Sequence, residues 1–142
     1  MRLIRRIVIH HSASPDGSAL YTAEDVDRWH KERGFSGNGY HRVFEVSGIV
    51  SPGRPLHRAG AHALGHNGDS VGLCLMGMTK FTIEQWESVA DEVSRMLVTL
   101  GEPEVVGHYQ LDPINKASCP GFDVRAWVSG GMKPLDGHIM AA

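Results

Sequence analysis

Short apolar runs rich in β-branched residues alternate along this chain with segments of helical periodicity. Strands are predicted at residues 3–10, 39–46, 49–51, 70–77 and 104–107. Helices are predicted to begin at Thr22 and Thr82, each with a capping-box partner three residues later, and a short helix is predicted at residues 123–128. Because strands that alternate with helices are typical of layered α/β folds, the pattern predicts an α/β domain with a mixed central β-sheet flanked by helices.

The length of 142 residues suits a single domain, which the element pattern places at residues 1–128. A chain of this size buries about two-thirds of its unfolded surface, so it needs no disulfide to fold. A Ser-Gly-Gly run begins a C-terminal tail, residues 129–142, that could be mobile.

Charge and hydropathy narrow the classes of partner. The net charge is −2, 21% of the residues are charged, and neither sign is clustered, so we expect no electrostatic binding to nucleic acid or to an anionic membrane. No apolar run approaches the roughly 20 residues of a membrane span. The short apolar segment after Arg5 and Arg6 is not followed by the cleavage site of a signal peptide. We therefore predict a cytoplasmic protein. We also expect it to be a monomer.

Two of the predicted strands end at a histidine, His10 and His108, and Cys119 stands in the loop that follows the second of them. Sites in α/β sheets form at the carboxyl ends of strands, and zinc accepts a ligand set of two imidazoles and a thiolate. The spacing alone leaves other interpretations open. The histidines could be structural, Cys119 could be a small loop residue, or it could form a disulfide with Cys74.

Several short segments resemble one known family when they are taken together and in order. They are Ile7 to Ala13, Gly39-Tyr40-His41, Ala61-His62-Ala63 with Asn67, Ser70-Val71-Gly72, Gly107-His108, and Cys119-Pro120-Gly121-Phe122-Asp123. This order resembles the zinc-dependent N-acetylmuramoyl-L-alanine amidases of the bacteriophage T7 lysozyme and peptidoglycan-recognition-protein type. The likeness extends from residue 4 to about residue 128 and implies the fold of those amidases.

The resemblance also implies roles for individual residues. It makes His10, His108 and Cys119 the ligands of one Zn²⁺ per chain. It gives Tyr40 and Lys116 catalytic roles, Tyr40 in orienting water or passing a proton and Lys116 in stabilising the oxyanion. In such proteins the loop that holds His62 and Asn67 lines the groove for sugar and peptide, so the implied substrate is the muramoyl-peptide of peptidoglycan.

Two departures from the family pattern stand near the implied site. Lys116 precedes Cys119 by three residues, whereas the phage lysozyme pattern has the lysine two residues before the cysteine. Cys74 occupies the central-strand position at which some related amidases have a glutamate, and we interpret it as a core thiol. Two further histidines are not assigned to the site. Alternation along the strand turns the His11 side chain to the face opposite that of His10. His30 is predicted to be solvated at a helix end.

Two other functions remain as alternatives. The chain could be a peptidoglycan-binding module without catalysis, or a hydrolase with Cys119 as nucleophile and His108 as base. Among amidases, the predicted absence of a signal peptide suits either a phage lysis enzyme (endolysin) or a cytoplasmic recycling enzyme. Whether a protein partner such as a polymerase also binds is left open by the sequence.

Overall fold

A computed structural model describes residues 2–141, and a five-stranded sheet forms its centre. The strands are β1 Arg6–His11, β2 Arg42–Phe44, β3 Val50–Pro52, β4 Ser70–Leu75 and β5 Glu104–Gly107. Their order across the sheet is β3-β2-β4-β1-β5, and only the β2–β3 pair is antiparallel among the described strands. The predicted α/β fold with a mixed sheet is confirmed. The predicted strand at 39–46 shortens to three residues.

Four α-helices accompany the sheet in the described part of the chain. They are α1 Ala23–Glu32, α2 Ile83–Thr99, α3 His108–Leu111 and α4 Val124–Ser129, with a short 3₁₀ turn at Asn67–Asp69. None of the helices within residues 2–141 is both long and apolar enough to cross a membrane.

The start of α2 is determined locally and is then attached to the sheet. The Thr82 hydroxyl accepts a hydrogen bond from the Gln85 backbone N–H at 3.1 Å, and the Gln85 side chain accepts one from the Thr82 N–H at 2.9 Å. This is the predicted capping box. The Gln85 amide also donates to the backbone carbonyls of Phe44 and Met76, so the buried side chain joins the helix to the ends of β2 and β4.

The two faces of the sheet pack against different helices. One face packs against α2 and α4 through a large apolar core that includes Ile9, Leu73 and Trp86. The other face packs against α1 through a smaller cluster that includes Val26 and Cys74. Ile9 faces the large core, and side chains alternate along a strand, so the next residue, His10, lies on the α1 face of the sheet.

The C-terminal tail packs against the body of the domain at Phe81. The Phe81 backbone N–H donates to the His138 carbonyl at 2.9 Å, and the Met140 N–H donates to the Phe81 carbonyl at 2.8 Å. Leu135 and Ile139 add apolar contacts to the large core. These contacts favour an ordered tail, and its mobility stays a prediction that amide hydrogen exchange would measure.

Candidate metal centre

Three side chains that could hold a metal meet at the carboxyl ends of β1 and β5. The potential ligand atoms of His10, His108 and Cys119 lie within 4.8 Å of one another, and all three residues are buried. The Cys119 Sγ lies 3.8 Å from the His10 Nδ1, and the two imidazole ring centroids are 4.4 Å apart. The structure therefore brings together all three residues predicted as ligands.

The topology explains why residues so distant in sequence meet. β1 and β5 are parallel neighbours in the sheet, with Ile9 opposite Gly107, so His10 and His108 both follow the paired positions. His108 is the first residue of α3, directly after β5. The loop that carries Cys119 is held beside the start of α3, because the Cys119 carbonyl accepts a hydrogen bond from the Tyr109 N–H at 3.0 Å.

Burial sets the protonation states of the three groups. Burial, and after it the neighbouring imidazoles and Lys116, lower the pKa of His10 well below its ordinary value. Burial and the Lys116 charge lower the pKa of His108 to about 4, against the raising effect of Asp112. Burial also raises the pKa of the Cys119 thiol to about 11, against the lowering effect of the His11 backbone and the Lys116 charge. At neutral pH the imidazoles are therefore neutral, and the thiol keeps its proton unless a cation displaces it.

The donor set matches the chemistry of zinc. Zn²⁺ accepts imidazole nitrogen and thiolate sulfur, and three protein ligands leave one position open for water or substrate. Neutral imidazoles offer their lone pairs without first losing a proton, whereas the thiol must release its proton when the metal binds. The three residues thus fit a zinc ion, and their role as its ligands stays a prediction.

Tyr40 lies directly beside the donor cluster. Its ring centroid is 5.0 Å from that of His10. Burial, together with the nearby Cys74 and Cys119 thiols, raises the pKa of Tyr40 well above 10.0. The Tyr40 hydroxyl is therefore protonated at neutral pH and is able to donate a proton or a hydrogen bond.

His30 supports the Tyr40 segment, and the prediction that it is solvated is wrong. The residue is 6% exposed, its Nδ1 accepts a hydrogen bond from the Gly39 N–H at 2.8 Å, and its ring lies 5.3 Å from that of Tyr40. Val26 and His30 stand four residues apart and both are buried in α1. That spacing places them on one face of the helix, and it is the signal from which the burial of His30 could have been predicted.

Lys116 is an exposed residue whose charge acts on the donor cluster. Its side chain is exposed, and its positive charge contributes to the lowered pKa of His108 and opposes the raised pKa of Cys119. The Cys119 N–H donates to the Lys116 carbonyl at 3.1 Å, which closes a turn between the two residues. This turn brings the lysine near the donor cluster despite the three-residue spacing. Its catalytic role stays a prediction.

His62 and Asn67, predicted to line the substrate groove, both form hydrogen bonds within the protein. His62 is 8% exposed, and its Nδ1 lies 2.9 Å from the His10 Nε2. The Asn67 side-chain oxygen accepts hydrogen bonds from the backbone N–H groups of His62 and Ala63 at 2.8 and 2.9 Å. Both residues organise the loop behind His10, and their contact with substrate stays a prediction.

The remaining residues near the site are in structural positions. Cys74 and Cys119 are free and buried, and Cys74 pairs with His10 across β4 and β1. The His11 Nδ1 lies 2.6 Å from the Met78 carbonyl, to which it can only donate. His41, which sequence analysis did not single out beyond its motif, is fully buried.

Comparison with known proteins identifies close relatives. The family model for N-acetylmuramoyl-L-alanine amidase matches residues 1–122. The endolysin of Escherichia phage T7 is 30% identical over 129 residues, which cover 85% of this chain and 83% of the endolysin.

Solved structures agree in fold. The endolysin amidase LysCS of Clostridium intestinale is 25% identical and superposes with a TM-score of 0.79 over 93% of this chain and 86% of its own. The peptidoglycan-recognition protein LB of Drosophila, at 23% identity, shares the fold with a TM-score of 0.76 over 99% of this chain and 85% of its own.

Proposed function

Because this chain belongs to the N-acetylmuramoyl-L-alanine amidase family, we propose that it hydrolyses the amide between N-acetylmuramic acid and L-alanine in peptidoglycan with one Zn²⁺ held by His10, His108 and Cys119. The amidase activity follows from membership of the family. The finer parts of the proposal are the metal and the role of each residue. The observation that carries them is the convergence of three buried donor atoms within 4.8 Å at the end of β1.

A bound Zn²⁺ would supply Lewis acidity, which polarises the scissile carbonyl and lowers the pKa of water. The chain holds the two imidazoles neutral through burial, so that both offer a lone pair. Cys119 contributes a thiolate once its proton is displaced, and this negative charge balances part of the charge of the cation.

Tyr40 is suited to protonate the leaving amine. In the hydrolysis, a C–O bond forms to water, the C–N bond breaks, and the L-alanine nitrogen must gain a proton. The raised pKa of Tyr40 keeps its hydroxyl protonated, which favours a proton donor over a base. This supports the second of the two roles that the family resemblance leaves open.

Lys116 is suited to stabilise the oxyanion. Amide hydrolysis places negative charge on the carbonyl oxygen, and a fixed ammonium near that oxygen lowers the energy of the transition state. The charge of Lys116 acts on all three donor residues, since it contributes to the pKa of His10, His108 and Cys119. We propose that the turn between Lys116 and Cys119 directs the ammonium toward the substrate carbonyl.

The pKa of Cys119 disfavours the alternative in which its thiol is the nucleophile. A cysteine nucleophile reacts as a thiolate and needs a lowered pKa, whereas burial raises that of Cys119 to about 11. A non-catalytic binding module would not need Tyr40 beside three metal donors. Similarity to the T7 endolysin favours phage lysis as the biological role.

Metal analysis beside turnover on purified peptidoglycan tests the proposal. We expect one zinc per chain, loss of turnover with EDTA, and recovery when Zn²⁺ is added back. Cys119→Ala should lose both zinc and turnover, because a site with two imidazoles holds zinc poorly. Cys74→Ala, which removes a buried thiol outside the donor set, is the matched control and should keep its zinc. Turnover that survives EDTA but is lost on alkylation of Cys119 would establish the thiol mechanism instead.

A further inference from the structure

We propose that His62 is a positioning residue that holds the proton of His10 on Nε2 and so leaves the His10 Nδ1 lone pair free for the metal. The inference rests on the proposed zinc site and assigns His62 a function within the protein rather than in the substrate groove. It follows from a chain of hydrogen bonds that ends at a backbone carbonyl.

The His66 carbonyl determines which atom donates and which accepts in each of these linked hydrogen bonds. The Ser70 Oγ lies 2.6 Å from the His66 carbonyl oxygen, which can only accept, so the Ser70 hydroxyl donates there. The Ser70 Oγ is then left as an acceptor for the His62 Nε2, which lies 3.2 Å away. His62 therefore carries its proton on Nε2 and has a lone pair on Nδ1.

The same reasoning extends to His10. The His62 Nδ1 accepts, and the His10 Nε2 is 2.9 Å from it, so His10 donates from Nε2. A neutral imidazole has one N–H, and the His10 Nδ1 therefore keeps its lone pair. That nitrogen faces Cys119, with the Sγ at 3.8 Å. The opposite tautomer would direct an N–H at the place where the metal is proposed to bind.

The His62 ring is held firmly enough to act in this way. A Cβ at Gly72 would lie 2.5 Å from the His62 Cγ, and a Cβ at Gly60 would lie 2.6 Å from its Cδ2. Only glycine leaves room for the ring at these two positions. Asn67 accepts the backbone N–H of His62 at 2.8 Å, which positions the loop from which the ring projects.

Loss of this support should weaken metal binding without removing a ligand. Partners that orient a ligating histidine typically contribute about 10- to 100-fold to metal affinity. His62→Phe retains a ring but has no nitrogen to accept from His10. His62→Asn retains an acceptor, because its Oδ1 is bonded to Cγ as the histidine Nδ1 is.

Two measurements test the inference. The first is Zn²⁺ affinity by competition with a chromogenic chelator. We expect about 10- to 100-fold weaker binding by His62→Phe, substantial recovery in His62→Asn, and no change in His57→Asn, which alters an exposed histidine of the same loop.

The second measurement is the His10 tautomer in the metal-free protein, by long-range ¹⁵N–¹H NMR. We expect a single Nε2–H form in the unmodified protein and a mixture in His62→Phe. If that variant does not fold, Ser70→Ala removes the acceptor of the His62 Nε2–H and should also produce a mixture.

The outcomes separate the inference from the function on which it rests. Unchanged zinc affinity in His62→Phe, or mixed His10 tautomers in the unmodified metal-free protein, would overturn the role of His62 while leaving the zinc site intact. Absence of zinc binding by the unmodified protein would overturn the proposed function, and the NMR result would still report on the hydrogen-bond chain.

Discussion

Acid should destabilise the metal-free protein through His41, a buried histidine outside the donor cluster. Its Nδ1 accepts the Gly72 N–H at 3.0 Å, and its Nε2 lies 2.8 Å from the Arg58 carbonyl, to which it can donate. Burial, together with the nearby positive charges of Arg2, Arg42 and Arg54, lowers the pKa of His41 from 6.5 to about 4, against the raising effect of the hydrogen bond with the Arg58 carbonyl. Protonation would also remove the acceptor of the Gly72 N–H.

The sign and the size follow from these values. Below pH 6.5 the unfolded chain binds a proton at His41, whereas the folded protein does so only below about pH 4. The contribution of His41 to stability is therefore complete above pH 6.5 and is lost as the pH falls toward 4. One pKa unit corresponds to about 1.4 kcal/mol, so His41 should account for a loss of about 2 kcal/mol in the free energy of unfolding by pH 5.

The assay is urea unfolding of the protein in EDTA between pH 7.5 and 5, followed by tryptophan fluorescence. His41→Asn keeps an acceptor for the Gly72 N–H but cannot titrate. We expect it to be less stable than the unmodified protein at pH 7.5, with the difference shrinking by about 2 kcal/mol at pH 5. His57→Asn, which changes an exposed histidine, should preserve the original pH dependence. Parallel curves for the unmodified protein and His41→Asn would refute the assignment of a buried, neutral His41.

Two further predictions concern turnover on purified peptidoglycan. Tyr40→Phe removes the hydroxyl and keeps the ring beside His10, so zinc content and fold should persist while turnover falls by about 10²–10⁴; normal turnover would exclude Tyr40 from the chemistry. Lys116→Ala removes an exposed charge, so melting temperature and zinc content should be unchanged while turnover falls by about 10²–10³. Undiminished hydrolysis by that variant would mean that the lysine role of the family is absent here.

The elements that sequence analysis predicted well are those that short-range contacts determine. At the start of α1 the Asp25 carboxylate accepts a hydrogen bond from the Thr22 N–H at 2.7 Å, as the Gln85 side chain accepts one from the Thr82 N–H at the start of α2. Partners three residues apart meet whenever the helix forms, so their identities are sufficient evidence. The predicted strand at 39–46 was too long because only Arg42–Phe44 pairs with both β3 and β4, and pairing partners lie far away in the chain.

The candidate site was predicted in part from the order of motifs. The structure brings His10, His108 and Cys119 together and puts Tyr40 beside them. The position of His62 behind His10 was not predicted, because the resemblance suggested a groove residue. The buried position of His30 was missed because its place at the end of the predicted helix suggested a solvated residue.

The sequence by itself determined the local elements, the α/β class and the identity of the donor side chains, since these depend on residue type and on contacts within a few positions. The tertiary structure alone decided which nitrogen of His10 faces Cys119 and which residue supports the other nitrogen. That choice depends on the hydrogen bond between His10 and His62, which are 52 residues apart in the chain. It also depends on the absence of a Cβ at Gly72, which leaves room for the His62 ring. Imidazole has two chemically similar nitrogens, so only the surrounding packing distinguishes them.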